Sequence, residues 1–294
     1  GAPIGAGDSP HTLLFVQPDG GLGPDASARI SFLPYVHNTD SFGYNSAHVS
    51  RGIPYETESW SWLLDERYSG KVALINEPSI GIFDAALAAR AKGLVDFVDI
   101  GNPTRQEIDG LIAVLLEYKS RDHFRGFWSS IPTSVDLMAS GEVVIESMFS
   151  PAASELTGMG VPCVYAAPRE GYRAWHGVMC LSALASGPVR DAAYEYMNWW
   201  LSGWPGAFIA RQGYYISNPE RSRSLMSPDE WDYWYEGKPA ATPLIGTDGE
   251  VAVQRGETRS GGGYTTRFEH VAVWNTVIDQ YEYLLLRWKD LLLG

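Results

Sequence analysis

Short apolar runs alternate with capped helical stretches along most of this chain, and that alternation limits the folds open to it. Lys71–Ile75 reads as a buried strand, and Ile80–Ala91 as an Ala-rich helix that Gly93 ends. Phe97–Ile100 is followed by Asn102-Pro103-Thr104. Thr104 and Glu107 are spaced as a capping box for a helix to about Ser120. Val135–Ala139 reads as a short helix and Val143–Met148 as a strand. Val161–Ala166 and His176–Leu181 are strand-like, and a clear helix runs over Val189–Leu201. Strands that alternate with helices predict an α/β fold with mixed, largely parallel sheets.

The flanks are less regular. Gly1–Asp25 is rich in Gly, Pro and Asp and shows no helical periodicity; a strand-like segment follows at Ile30–Tyr35. Ser59 is placed to cap a short helix at Trp60–Glu66. Helical character resumes at Trp204–Arg211, and Ser227-Pro228-Asp229-Glu230 opens the aromatic helix Trp231–Tyr235. Residues 237–264 read as a long loop. Val271, Trp274, Ile278, Tyr281, Leu285 and Trp288 recur at three- and four-residue spacing, which predicts one amphipathic helix over Phe268–Leu293. The aromatic pairs Trp199-Trp200 and Trp231 to Trp234 read as packing residues.

Composition narrows the function classes. The 294 residues carry a net charge of −13, and such a surface repels phosphate backbones, so nucleic acid is not expected as a partner. No apolar run approaches the roughly 18 residues of a membrane-spanning helix. Residues 1–12 lack a basic n-region and an apolar core, so a signal peptide is either absent or already removed. Cys163 and Cys180 sit in strand-like runs. Two buried thiols is the plain reading, and a disulfide is the alternative for an exported chain. The six histidines show no metal-ligand spacing, and no metal or cofactor is expected. Gly20-Gly21-Leu22-Gly23 is followed by Pro24 rather than a helix, so it fails as a dinucleotide loop. With no GxSxG, GxxxxGK[ST] or HExxH motif either, an enzyme has no specific support.

Four stretches carry a family likeness. They are Phe32–Val36 with Gly43-Tyr44-Asn45; Glu58–Leu63 with Tyr68–Leu74; Ala139–Val144 with Met148-Phe149-Ser150; and Pro168–Tyr172 with Trp175, the Ala192–Trp199 helix and Gly213-Tyr214-Tyr215. In order and spacing they resemble the extracytoplasmic solute-binding proteins of ABC importers, in the spermidine/putrescine-binding group, from about residue 30 onward. The resemblance implies a type II periplasmic-binding-protein fold, with two α/β lobes and a ligand cleft between them. It implies residues 1–46 and 175–235 for the first lobe, and 47–174 and 236–294 for the second with a C-terminal helix. The family's opening strand, helix and strand have no counterpart here, so the first lobe is expected to be incomplete at its start. A periplasmic monomer that hands a small-molecule solute to ABC permease membrane subunits, with no chemistry of its own, is the implied role.

The likeness breaks at the amine clamp. Polyamine binders need acids, because a buried cation must be paired. The family's Asp two residues after the tryptophan that matches Trp175 is Gly177 here, and its Asp-x-x-Glu pair falls on Pro78 and Gly81. A small polar solute other than a standard polyamine is therefore expected. The alternatives are a polyamine binder with a rearranged clamp, to which Glu77 would contribute, or an enzyme on a similar scaffold. The ligand-contact candidates are Trp175 and Phe149 as aromatic faces; His37 and Asn38 in the loop after a strand; Asp40; Ser79 by position; Tyr215 after Gly213-Tyr214; and His176 and Arg173. A surface salt bridge is the plainer reading of Arg173, and a turn cap that of Asp40.

Overall fold

The computed structural model describes residues 14–294. The first half of the Gly1–Asp25 reading therefore lies outside the described residues. The chain divides into two compact units, residues 1–38 with 174–268 (unit 1) and 39–173 with 269–294 (unit 2).

The elements, in chain order, are a small antiparallel pair β1 (Phe15–Val16) and β2 (Leu22–Gly23), then the long strand β3 (Leu33–Asn45). Two 3-10 turns, Trp60–Leu64 and Glu66–Tyr68, lead to β4 (Val72–Ile75), α1 (Pro78–Ala91), α2 (Arg105–Ser120) and β5 (Phe124–Trp128). Next come α3 (Ile131–Ala139), β6 (Ile145–Met148), α4 (Ser150–Gly158), β7 (Cys163–Tyr165) and β8 (Tyr172–Met179). Then follow α5 (Gly187–Trp200), α6 (Trp204–Ala210), β9 (Tyr215–Ile216), α7 (Glu220–Arg223) and α8 (Pro228–Trp234). The chain closes with β10 (Leu244–Ile245), β11 (Val251–Val253), α9 (Tyr264–Glu269), β12 (Val271–Trp274) and α10 (Tyr281–Leu293).

Unit 2 is an α/β sandwich. β4 pairs in parallel with β5 and β6, while β3 runs antiparallel to β6 and β7. Its core joins β4 to α1 and α2 through Leu74, Phe83, Leu87, Ile108 and Leu115, with Trp60 and Trp288 fully buried against them. α1 lacks a polar stripe, as a helix covered on all sides must. α2 starts at the expected capping box: Thr104 and Glu107 satisfy each other's backbone N–H groups.

In unit 1, β9 pairs antiparallel with Val36 and His37 of β3. Its main core is aromatic, built from Tyr215, Trp231, Tyr233, Trp234, Tyr235 and Tyr264. α8 begins at the expected N-cap signature, where Ser227 and Glu230 form a capping box.

Several expectations change. Antiparallel pairings outnumber parallel ones among the described strands, so the sheets are mixed rather than largely parallel. The stretch Phe268–Leu293 is not one helix, because β12 interrupts it: Tyr172 donates its N–H to His270 O at 2.7 Å. Residues 39–46 fall in unit 2, and residues 236–268 fall in unit 1, where Ala240, Leu244, Val253 and Tyr264 complete the aromatic core. The 237–264 loop contains the β10–β11 pair. Cys163 and Cys180 are free thiols, the first half-buried and the second exposed.

Candidate functional site

His37 and Asn38 are expected in a loop, and Asp40 at a ligand or capping a turn. They lie instead within β3, at the point where the chain passes from unit 1 to unit 2, and all three are buried. A strand with five consecutive polar residues can be buried only where each finds a partner. The partners differ between the two units.

In unit 2, Asp40 faces Arg173, the last residue of this unit before the chain returns to unit 1. Arg173 is 1% exposed. Its Nε donates to Asp84 Oδ1 at 2.7 Å and its Nη2 to Asp40 Oδ2 at 3.3 Å. The Tyr165 hydroxyl donates to Asp40 Oδ1 at 3.2 Å and accepts from the Ser41 N–H at 3.0 Å. Arg173 is thus a buried ionic hub rather than half of a surface salt bridge, and Asp40 is its partner rather than a turn cap. Burial pushes the Asp84 carboxyl up to about 6 against the pull of the Arg173 guanidinium, with Asp40 adding to the rise. Burial alone would lower Arg173, but Asp84 and Asp40 raise it on balance. Arg173 Nη1 and Asp84 Oδ2 remain buried without a hydrogen-bond partner.

Ser79 and Phe149 also lie in unit 2. Ser79 sits in the first turn of α1, where its N–H and hydroxyl both donate to Glu77 Oε1, at 3.3 and 2.8 Å. Glu77 is thereby occupied as the helix cap. Phe149 precedes α4, and its half-buried ring stands edge-on to Trp128 with centroids 5.3 Å apart.

In unit 1, His37 Nε2 is 2.9 Å from the Tyr264 hydroxyl, within a nest of Tyr215, Tyr264 and Phe268 rings. Burial, helped by the nearby His176, pulls the His37 pKa down to about 3, so the ring is neutral. Tyr215 is fully buried and donates to Trp234 O at 3.1 Å. The half-buried Arg259 donates to the Tyr215 hydroxyl and to the carbonyls of Trp234 and Gly213, with its guanidinium 5.1 Å from the Tyr215 ring centre. It has no carboxylate partner among the described residues. Trp175 and His176 are neighbours on β8. The Trp175 ring stands edge-on to Tyr214 at 5.4 Å, its indole N–H buried without an acceptor, and burial lowers His176 to about 4.

The nine candidates therefore fall into two groups. His37, Tyr215, Trp175 and His176 belong to unit 1, with Asn38 as its last residue before the crossing. Asp40, Arg173, Ser79 and Phe149 belong to unit 2. Sequence reasoning missed Asp84, Tyr165 and Arg259. Asp84 did carry a signal, since an acid amid Ile82, Phe83, Ala85 and Ala86 implies a buried cation. Arg259 lies in a Gly- and Thr-rich stretch that gives none.

The glycines at the clamp positions are fixed by packing. A Cβ on Gly81 would lie 2.7 Å from both Ile75 O and the Trp288 ring, and one on Gly177 would lie 2.7 Å from Val36 Cγ1. Neither position accepts a carboxylate without displacing its neighbours. Among the described residues, no group of three or more His, Cys, Asp or Glu side chains could hold a metal ion, and no helix is long and apolar enough to cross a membrane.

The sequence profile of the bacterial extracellular solute-binding proteins matches residues 20–234. The chain belongs to this family. No curated protein matches this solute-binding protein at the level of sequence. Among solved structures it is similar to an ABC transporter substrate-binding protein of Bradyrhizobium japonicum, at 17% identity and a TM-score of 0.61, over 89% of this chain and 70% of that one. It is also similar to the spermidine/putrescine substrate-binding protein PotD of Streptococcus pneumoniae, at 16% identity and a TM-score of 0.56, over 88% and 69% of the two chains. A third is the binding protein AgtB of Agrobacterium tumefaciens in complex with agropinic acid, at 13% identity and a TM-score of 0.56, over 90% and 70%. These likenesses establish the type II periplasmic-binding-protein fold.

Proposed function

We propose that this solute-binding protein is the periplasmic receptor of an ABC importer. It captures a small polar solute that is not a standard polyamine and presents it to the permease. Capture between two lobes, with no chemical step, follows from the family resemblance and forms part of the proposal. The observation that carries the solute class is the packing around Gly81 and Gly177. A polyamine must have its ammonium groups met by carboxylates when water is stripped away. The two glycines stand where the resemblance places such acids, and neither site has room for one. Glu77, the nearest acid, is engaged at the start of α1. Asn38 and Thr39 stand at the first chain crossing, preceded by a neutral histidine and followed by Asp40, which shares the Arg173 guanidinium with Asp84. AgtB, in complex with agropinic acid, shows that a protein of this fold can take a solute that is not a simple polyamine.

Native mass spectrometry of the chain purified from cells tests this reading. The expected result is a 1:1 adduct whose released solute is a polar metabolite other than putrescine or spermidine. Release of a polyamine would overturn the solute class. Conversion of the released solute on return to the protein would overturn the receptor role.

A further inference from the structure

Arg259 follows the β10–β11 pair of unit 1, and its half-buried side chain runs between two rings. The guanidinium carbon lies 5.1 Å from the centre of the Tyr215 ring and 5.2 Å from that of Trp234. A guanidinium has five N–H donors. Here Nη1 donates to the Tyr215 hydroxyl and to Trp234 O, and Nη2 donates to Gly213 O at 2.9 Å. All three acceptors are neutral; Tyr215 keeps its proton and donates it to Trp234 O. The Nε–H and one Nη2–H have no acceptor among the described residues. Nε and Nη2 form one edge of the planar fork, an edge that a carboxylate grips with two parallel bonds.

A cation taken out of water needs a counter-charge. In the same unit Arg211 has Glu230 at 2.9 Å, whereas Arg259 has no acid among the described residues. The groups that act most strongly on its charge are Tyr215, Tyr233 and a second guanidinium, the buried Arg267. Burial, with Arg267 pushing the same way, holds Arg259 below its ordinary value. The chain has 35 acids against 22 basic residues, so the missing partner is not for want of acids.

The guanidinium is held in place before anything binds. Tyr215 is fixed by the pairing of β9 with β3, and Trp234 ends α8. Three hydrogen bonds and two rings set its plane, so little ordering opposes a ligand there. Shape selects the ligand class. Two donors on one edge match the two oxygens of a carboxylate. A phosphate brings at least one more oxygen, which would face the Tyr215 and Trp234 rings without a donor. We propose that the Nε–Nη2 edge of Arg259 is a carboxylate subsite, filled by an acidic group of the captured solute. The subsite stands on this geometry, and the identity of its occupant rests on the receptor reading above.

Melting curves of the full chain at constant ionic strength test the subsite. Acetate and succinate are compared with acetamide and succinamide, and sodium chloride balances the salt. The expected result is a saturable rise of the midpoint with the two carboxylates and none with the amides. Arg259→Lys keeps the charge but not the planar fork, and should weaken succinate at least tenfold. Arg259→Gln should abolish the response. No response to either acid, an equal response to the amides, a stronger response to phosphate, or a response that both variants retain would overturn the subsite. Should both variants fail to fold, the parent chain keeps the test open through the arginine Nε–H signal shifted by the Tyr215 and Trp234 rings. Succinate must move that signal saturably and succinamide must not. The solute released in native mass spectrometry separates the two readings. A solute with no acidic group would overturn its assignment to Arg259 and leave the receptor reading standing. Conversion of the solute by the chain would overturn the receptor reading and leave carboxylate binding at Arg259 standing.

Discussion

Arg173 Nε lies 2.7 Å from Asp84 Oδ1, and both side chains are shut away from water. The bond ties strand β8, at the residue where the chain leaves unit 2, to the middle of helix α1. Through its other arm Arg173 holds Asp40, two residues past the first chain crossing. One guanidinium therefore fixes the unit 2 ends of two crossing strands.

Removing that cation leaves two acids buried together. Arg173→Leu should destabilise unit 2 by about 3–5 kcal/mol, the usual cost of breaking a buried ion pair from one side. Arg173→Lys should recover only part, because an ammonium cannot serve both carboxylates with a planar fork. Urea unfolding followed by circular dichroism measures both.

Glu146 is fully buried in unit 2, with Ser134 donating to its Oε1 at 2.9 Å and no partner for Oε2. Burial pushes its carboxyl up to about 8, against the pull of Ser134. The folded chain then holds a proton that the unfolded chain releases near pH 4.5. This contribution to stability is greatest below that pH. It falls as pH rises to about 8, with a slope of about 1.4 kcal/mol per pH unit. Glu146→Gln keeps the Ser134 bond and should flatten the slope, leaving the variant more stable than the parent at pH 8. Melting midpoints across pH 5–9 check this.

Two histidines of unit 1, His37 buried and His176 half-buried, act on the acid side. His37 and His176 are pulled down to about 3 and about 4 by burial, while unfolded histidine protonates near 6.5. Their contribution is present above pH 6.5 and is lost as pH falls toward those values, because the unfolded chain takes up protons that the folded chain refuses. His37→Phe should reduce the loss of stability between pH 6.5 and 4 by about 3 kcal/mol. Acid titration of the melting midpoint measures it.

Acids placed at the clamp positions should not create a polyamine site. Gly177→Asp must displace Val36 or Tyr35, and Gly81→Asp must displace Trp288. Each should cost about 1–3 kcal/mol by overpacking and gain no putrescine binding. Calorimetric titration with putrescine, beside a melting curve, checks both.

Much of the fold was legible because it is written locally. The Thr104–Glu107 and Ser227–Glu230 boxes each sit within four residues and open α2 and α8 as expected. The failures involve long-range pairing. Val271, Trp274 and Ile278 satisfy a helical spacing, yet Val271–Trp274 becomes a strand because Gly171 allows β8 to approach it closely; a Cβ there would lie 2.6 Å from His270 O. His37 and Asn38 read as a loop because strands seldom carry five polar residues in a row, as His37 to Ser41 do. Their partners, Tyr264 for His37 and Arg173 for Asp40, lie more than 130 residues away. Trp199 was expected to pack, but its ring is 44% exposed although Trp200 beside it turns inward. The candidate site was legible as positions and not as contacts.

A thermal-shift panel tests the receptor reading most directly. It should contain putrescine, spermidine, amino acids, opine-type conjugates, sugars and quaternary amines, each at several concentrations. A solute at a hundred times its dissociation constant stabilises the folded chain by about 2.7 kcal/mol, enough to move the midpoint visibly. The predicted result is a saturable rise with a polar solute outside the polyamine class and none with putrescine or spermidine. A saturable rise with the polyamines alone would contradict it.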